Sequence, residues 1–183
     1  MKNKATYFQI LSIFFILSTI IVACHRDSLT DKDIQINPKN GFATTHTFEN
    51  ATWTFPKVDD GIDKELHLTG TFPNQQDFYK LVVIVDFYSD VQTNSLPLVI
   101  TTTSPDGNSM QSTSVLVEFN DEETVTELGE ENAKKLQRAT KIIYPSKQFP
   151  DEGTYRFTVY SKYSKISLNG VKSLTIAAQK VDK

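Results

Sequence analysis

YKLVVIVDFY, residues 79–88, is the run from which the architecture can be read. Val82, Val83, Ile84 and Val85 are β-branched, and Tyr79, Phe87 and Tyr88 are aromatic, which is the composition of a buried strand. Phe72-Pro73-Asn74 marks a turn before it. On its N-terminal side, Leu66, Leu68 and Phe72 alternate with His67 and Thr69, a period of two. On its C-terminal side, residues 98–103 and 114–119 follow, and in SVLVEF the side chains of Val115, Val117 and Phe119 share one face. A short apolar run at 141–144 precedes TYRFTVY at 154–160, where Tyr155, Phe157 and Val159 alternate with Arg156 and Thr158. Leu174 and Ile176 form the last run. Asp60-Gly61, Pro105-Asp106-Gly107-Asn108, Pro150-Asp151-Glu152-Gly153 and Asn169-Gly170 punctuate these runs as turns. The pattern predicts an all-β antiparallel sandwich, jelly-roll-like, of about seven or eight strands. Only residues 130–139, EENAKKLQRA, have a helical composition, and a short helix or turn is expected there.

The N-terminus reads differently. Lys2 and Lys4 precede an apolar run at 7–23 that is interrupted by Gln9, Ser12, Ser18 and Thr19 and stopped by His25, Arg26 and Asp27. A membrane-spanning helix needs about 20 apolar residues, so the run fits the apolar region of a signal peptide better. Ile21-Val22-Ala23-Cys24 resembles the bacterial lipobox, with an aliphatic residue three before the cysteine and a small one directly before it. That resemblance implies cleavage before Cys24, a diacylglyceryl group on its sulfur and an acyl chain such as palmitate on the new amino terminus. The alternative is a buried apolar cysteine in an ordinary signal peptide. Each buried CH₂ contributes about 0.8 kcal/mol, so several chains on one cysteine anchor a protein durably. The expected organisation is a signal peptide at 1–23, a polar tether at 24–41 and a β-sandwich domain at 42–183. His25 is not the aspartate that marks inner-membrane retention in some bacteria, so an outer-membrane anchor is expected, with its exposed face left open.

The 183 residues carry a formal net charge of -3 and a single cysteine. The acidic balance argues against nucleic acid, which needs a basic stripe. With Cys24 lipidated, no thiol is left for a disulfide, a nucleophile or a metal. His25 lies on the tether, and His46 and His67 lie in separate strands without ligand spacing, so no metal and no cofactor are expected. Asp121, Glu122 and Glu123 with Glu127, Glu130 and Glu131, and the Asp59-Asp60-Gly61-Ile62-Asp63 turn, offer carboxylates for calcium. Solvated loops account for both more simply. Asp86 and Glu118 are the acids inside apolar runs, whereas glycoside hydrolysis needs two carboxylates across a cleft. No nucleophile elbow or phosphate-cradling glycine loop occurs, and the expected role is non-catalytic. Trp53, Tyr160 and Tyr163 are candidates for stacking on a sugar ring. For Trp53, filling the sandwich core is the favoured alternative.

Further features recur together. Phe48 and Trp53 stand a few residues apart soon after the tether, and the long apolar strand at 79–88 follows. A later strand ends in Pro105-Asp106-Gly107. Phe149, Pro150, Gly153, Tyr155 and Phe157 form a Phe-Pro-x-x-Gly-x-Tyr-x-Phe run, and Leu168 and Gly170 precede the last strand. With the lipobox, this layout resembles the gliding-motility lipoproteins of the GldH family over nearly the whole chain after the leader. The chain departs from that layout at 163–165 and in the acidic stretch 121–131. The resemblance implies a non-catalytic envelope component serving adhesin movement and the linked secretion system, with other cell-envelope proteins as partners. A surface lipoprotein that binds a glycan or another ligand is the alternative.

Overall fold

The computed structural model describes residues 40–54, 65–162 and 167–182; Cys24, the 59–63 turn and Tyr163 lie outside them. The strands are β1 (Gly41–Thr47), β2 (Thr52–Thr54), β3 (Leu66–Phe72), β4 (Phe78–Tyr88), β5 (Ser95–Thr103), β6 (Met110–Glu118), β7 (Val125–Glu131), β8 (Lys134–Gln148), β9 (Gly153–Ser161), β10 (Ser167–Asn169) and β11 (Val171–Val181). One short turn, Glu49–Ala51, interrupts them. A five-stranded sheet has the order β1-β11-β4-β8-β7, a four-stranded sheet the order β3-β9-β5-β6, and β10 pairs with β2 as a ribbon. Every pairing is antiparallel. The expected antiparallel β-sandwich is the fold of the described chain.

The 79–88 run is the middle strand of the larger sheet. Leu81, Val83, Val85 and Phe87 point into the common core, while Val82 and Ile84 are buried on the opposite face with Ala177 and the half-buried Ile142. Burial of both faces accounts for the near-continuous apolar run. The facing sheet supplies Leu68 and Phe72 from β3, Leu98 and Ile100 from β5, Val115 and Val117 from β6, and Tyr155, Phe157 and Val159 from β9. These are the inward residues of strands that alternate with period two, and each fully buried aliphatic side chain contributes about 1.5–3 kcal/mol.

Aromatic rings close one end of the sandwich. Phe72 stacks on Phe149 at 3.7 Å between centroids, and Tyr79 and Tyr155 meet Phe72 edge-on at 4.8 and 5.3 Å. The Phe-Pro-x-x-Gly-x-Tyr run therefore wraps a core cluster. The backbone N–H of Asp151 donates to the Tyr155 hydroxyl at 3.1 Å, and burial pushes the pKa of that hydroxyl up. Gly153 has φ 129, and a Cβ there would lie 3.0 Å from Pro105, so the Pro-Asp-Gly turn packs directly against the Gly153 turn. Within the Pro-Asp-Gly turn, the Asp106 carboxylate accepts from Ser104 Oγ at 2.5 Å and from the Asn108 backbone N–H at 3.0 Å.

Side chains bridge the sheets along their edges. On one edge Phe42 of β1 lies over Gly70 of β3 and against Phe72 and Phe157, and Thr44 Oγ1 donates to the Thr69 carbonyl at 2.5 Å. On the other edge Thr113 of β6 bonds Tyr144 of β8 at 2.5 Å, and Lys147 donates to Gln111.

The structure departs from the sequence reading in two places. Eleven strands are present among the described residues, because β1, β2, β7 and β10 carry too few apolar side chains to announce themselves. Residues 130–139 form no helix: they belong to the β7–β8 hairpin, whose turn is at Asn132-Ala133. Helix-favouring Glu, Ala, Lys and Gln yield there to the pairing of β8 with β4, a case of tertiary context overriding local propensity.

Gly70 tests the β1–β3 seam. A Cβ on it would lie 2.1 Å from the Phe42 ring, so Gly70→Ala is expected to destabilise the chain by about 1–3 kcal/mol in thermal or denaturant unfolding. In a Phe42→Ala background the same change should cost clearly less, since the two sites share one contact. Equal costs in both backgrounds would contradict the seam.

Candidate functional site

Trp53 sits at the middle of β2, 3 % exposed, stacked on Phe48 at 4.9 Å with an interplanar angle of 21°. Of its two readings, the favoured one, core filling, holds, and its candidacy for sugar stacking is corrected, because a ring so covered has no open face for a sugar. The tryptophan of the Phe48–Trp53 pair is a core residue. Tyr160 is half-buried on the outer face of the four-stranded sheet, opposite Val99. The structure does not bring Tyr160 and Trp53 together, and Tyr163 and Cys24 lie outside the described residues.

The other titratable candidates are dispersed. His46 is exposed with its ring edge-on to Phe48 at 4.9 Å, and His67 Nδ1 lies 3.3 Å from Thr158 Oγ1. Asp86 is held by both nitrogens of an Arg138 fork, at 2.6 and 3.0 Å, and accepts from Ser173 Oγ at 3.2 Å. That bond to Asp86 raises the Arg138 pKa further. Glu118 faces Lys141 at 3.7 Å across to β8. In the acidic stretch, Asp121 accepts from the Glu123 backbone N–H at 2.9 Å, and Glu127 faces Lys135 at 3.4 Å across the hairpin. Among the described residues, no three His, Cys, Asp or Glu side chains converge as metal ligands would.

What converges instead is a polar rim at the end of the sandwich opposite the aromatic cluster. An open groove of about 650 Å³ runs between the Glu49–Ala51 turn, the end of β4, the β7–β8 turn and the β10–β11 turn. Asn50, Gln92, Asn132 and Asn169 line it with carboxamides, and Thr47 and Thr52 with hydroxyls. Its charges come in matched pairs. Lys134 Nζ lies 2.7 Å from Asp90, and Lys172 bonds Glu131, which also accepts from the Tyr88 hydroxyl at 3.3 Å. The Lys172 ammonium holds the Glu131 carboxyl below the usual carboxylate range, and Glu131 in turn raises Lys172. With its folded-state pKa lowered, Glu131 stabilises the fold at neutral pH and loses that effect as pH falls through the lowered value.

Two of the turns are built the same way. Asn50 and Ala51 have φ of 51° and 50°, with the Thr52 N–H donating to the Glu49 carbonyl, and Asn132 and Ala133 have φ of 51° and 59° between paired Glu131 and Lys134. Left-handed conformation at both central residues is the type I′ turn, which favours Asn-Gly. With alanine at the second position, neither turn is visible as a glycine signal, and Asn132 is masked further by its helical-looking surroundings. Asn169-Gly170 is recognisable as a turn, but nothing in its spacing joins it to the others.

Replacing either alanine by glycine should relieve the turn. An L-residue in the left-handed region costs about 1–2 kcal/mol, against about 0.5–1 kcal/mol for glycine's extra freedom when unfolded. Ala51→Gly and Ala133→Gly should therefore each stabilise the chain by about 0.5–1 kcal/mol, seen as a higher melting temperature. A lower one would contradict the turn assignment.

No family model matches the chain, and no curated protein does. Among solved structures it is similar to the Eiger TNF of S. frugiperda, at 10% sequence identity and a TM-score of 0.39, over 79% of this chain and 95% of that one.

Proposed function

We propose that this chain is a lipoprotein anchored through Cys24 to the outer membrane, and that its sandwich serves as a non-catalytic interaction component of an envelope apparatus of the gliding-motility or linked secretion kind. The observation that carries the reading is Ile21-Val22-Ala23-Cys24 at the end of the apolar 7–23 run, behind Lys2 and Lys4. Acyl chains on one cysteine bind a bilayer far more tightly than a single chain does. The residues that resemble the gliding-motility lipoproteins support it differently. Phe48 and Trp53 stack on each other, Phe149, Tyr155 and Phe157 are core residues, and Pro105 packs on Gly153. They are the fold-determining residues of the domain, so a shared pattern in them points to a shared fold with a surface free to differ. Partners are then other envelope proteins, met at a membrane surface.

Two measurements test this. Cells fed an alkyne analogue of palmitate should label the wild-type chain, and Cys24→Ala should abolish the label and leave the leader uncleaved. Affinity purification from detergent-solubilised membranes should recover at least one envelope protein with the wild-type chain. A free thiol on Cys24 in cells would overturn the anchor, and recovery of no envelope protein would overturn the interaction role.

A further inference from the structure

We propose that the groove at the open end of the sandwich is a binding site for a short, neutral oligosaccharide. Its volume, about 650 Å³, falls inside the range of about 300–1,000 Å³ typical of small-ligand sites. Its lining selects the chemistry. Asn50, Gln92 and Asn132 present side-chain amides that have no hydrogen-bond partner among the described residues. A carboxamide carries two donors and an acceptor, the complement of neighbouring sugar hydroxyls that each donate and accept. Thr47 extends the set, while Thr52 Oγ1 already bonds Asn169 Oδ1 at 3.2 Å and braces that side chain.

Charge favours an uncharged ligand over its competitors. Both lysines of the groove already face carboxylates, Lys134 facing Asp90 at 2.7 Å and Lys172 bonding Glu131. An anion such as a phosphate would have to displace a carboxylate, and a cation a lysine. An uncharged hydroxylated ligand meets neither obstacle. An apolar peptide finds little purchase, since Tyr88 is only 8% exposed and Lys134 Nζ sits 5.7 Å over its ring. Recognition here is by hydrogen bonding rather than by ring stacking. Trp53 takes no part, and the site stands apart from the anchor reading, because it is read out whether or not Cys24 is acylated.

The test uses the full-length chain in detergent on an array of neutral and acidic glycans, with calorimetric titration of the strongest neutral probe. At least one neutral oligosaccharide should bind. The double variant Asn50→Gly, Asn132→Gly removes two amides while keeping residues that favour the left-handed turns, so the fold is preserved and the melting temperature does not fall. Its affinity should drop about tenfold, the loss expected for two hydrogen bonds. Gln92→Ala should weaken binding in the same direction, and Ser114→Ala, on the β6 edge, should leave it unchanged. Binding of no neutral glycan, binding of acidic glycans alone, or affinity untouched by all three amide changes would overturn the assignment.

Discussion

β4 has no solvent-facing side over most of its length, and that constraint creates a problem the rest of the sheet must solve. A one-residue slip normally throws a strand's apolar set onto the water side and is strongly disfavoured. In β4 both sets are apolar, Leu81, Val83 and Val85 on one face and Val82 and Ile84 on the other. A slip would be nearly silent but for the two charged residues of the outer face, Lys80 and Asp86. In the observed register Asp86 faces outward, directly opposite Arg138 of β8 and Ser173 of β11, and bonds both. Shifted by one residue it would enter the core, where an unpaired carboxylate is prohibitively costly. Since β11 and β8 both pair with β4, Asp86 acts as a register key of the five-stranded sheet.

With register set, the two ends of the sandwich can diverge. At one end the strands are joined through packed aromatics, Phe72, Tyr79, Phe149 and Tyr155, and a glycine held against a proline. These contacts join β3, β4 and β9, from both sheets, and are rigid because core packing is dense. At the other end the turns carry amides, hydroxyls and paired charges around an open groove. β1 links the ends, entering at Gly41 beside Gln179 and leaving at Thr47 beside Ser173. A seven-residue strand spans about 23 Å at about 3.3 Å per residue. The described sandwich thus begins at the aromatic end, and the polar rim lies at the other.

The sequence made some of this legible and hid the rest for identifiable reasons. Strands with an apolar inner face, such as β3, β4 and β9, can be read from periodicity because burial imposes it. β1 cannot, since it is an edge strand whose one large apolar residue is Phe42 and whose outward Thr45 bonds Thr175 on β11. Residues 130–139 mislead because a hairpin's exposed half tolerates any polar residue, and here it uses helix formers. For Trp53 the core is the favoured reading, and only its neighbours decide against a sugar platform. The groove is invisible for a deeper reason. Its residues come from 47–52, 88–92, 132–134 and 169–172, four turns that only the fold brings together.

The alanines in two of those turns make sense when the rim is considered as a whole. Asn-Gly would form a type I′ turn at lower cost than Asn-Ala, yet both Asn50-Ala51 and Asn132-Ala133 keep a methyl group in the left-handed region. Strain of this kind persists only where surrounding structure over-determines the backbone. It does here: the Ala51 carbonyl accepts from the Gly170 N–H at 2.9 Å, and Asn132-Ala133 is clamped between paired strands. A glycine would let each turn sample more of its conformational space, and the neighbouring amide would wander with it. Alanine narrows that freedom, so that Asn50 and Asn132 are carried on stiff supports. Holding hydrogen-bonding groups in place before a ligand arrives reduces the entropy lost on binding. The same two residues that weaken the fold slightly therefore favour a rim whose polar groups are already in position.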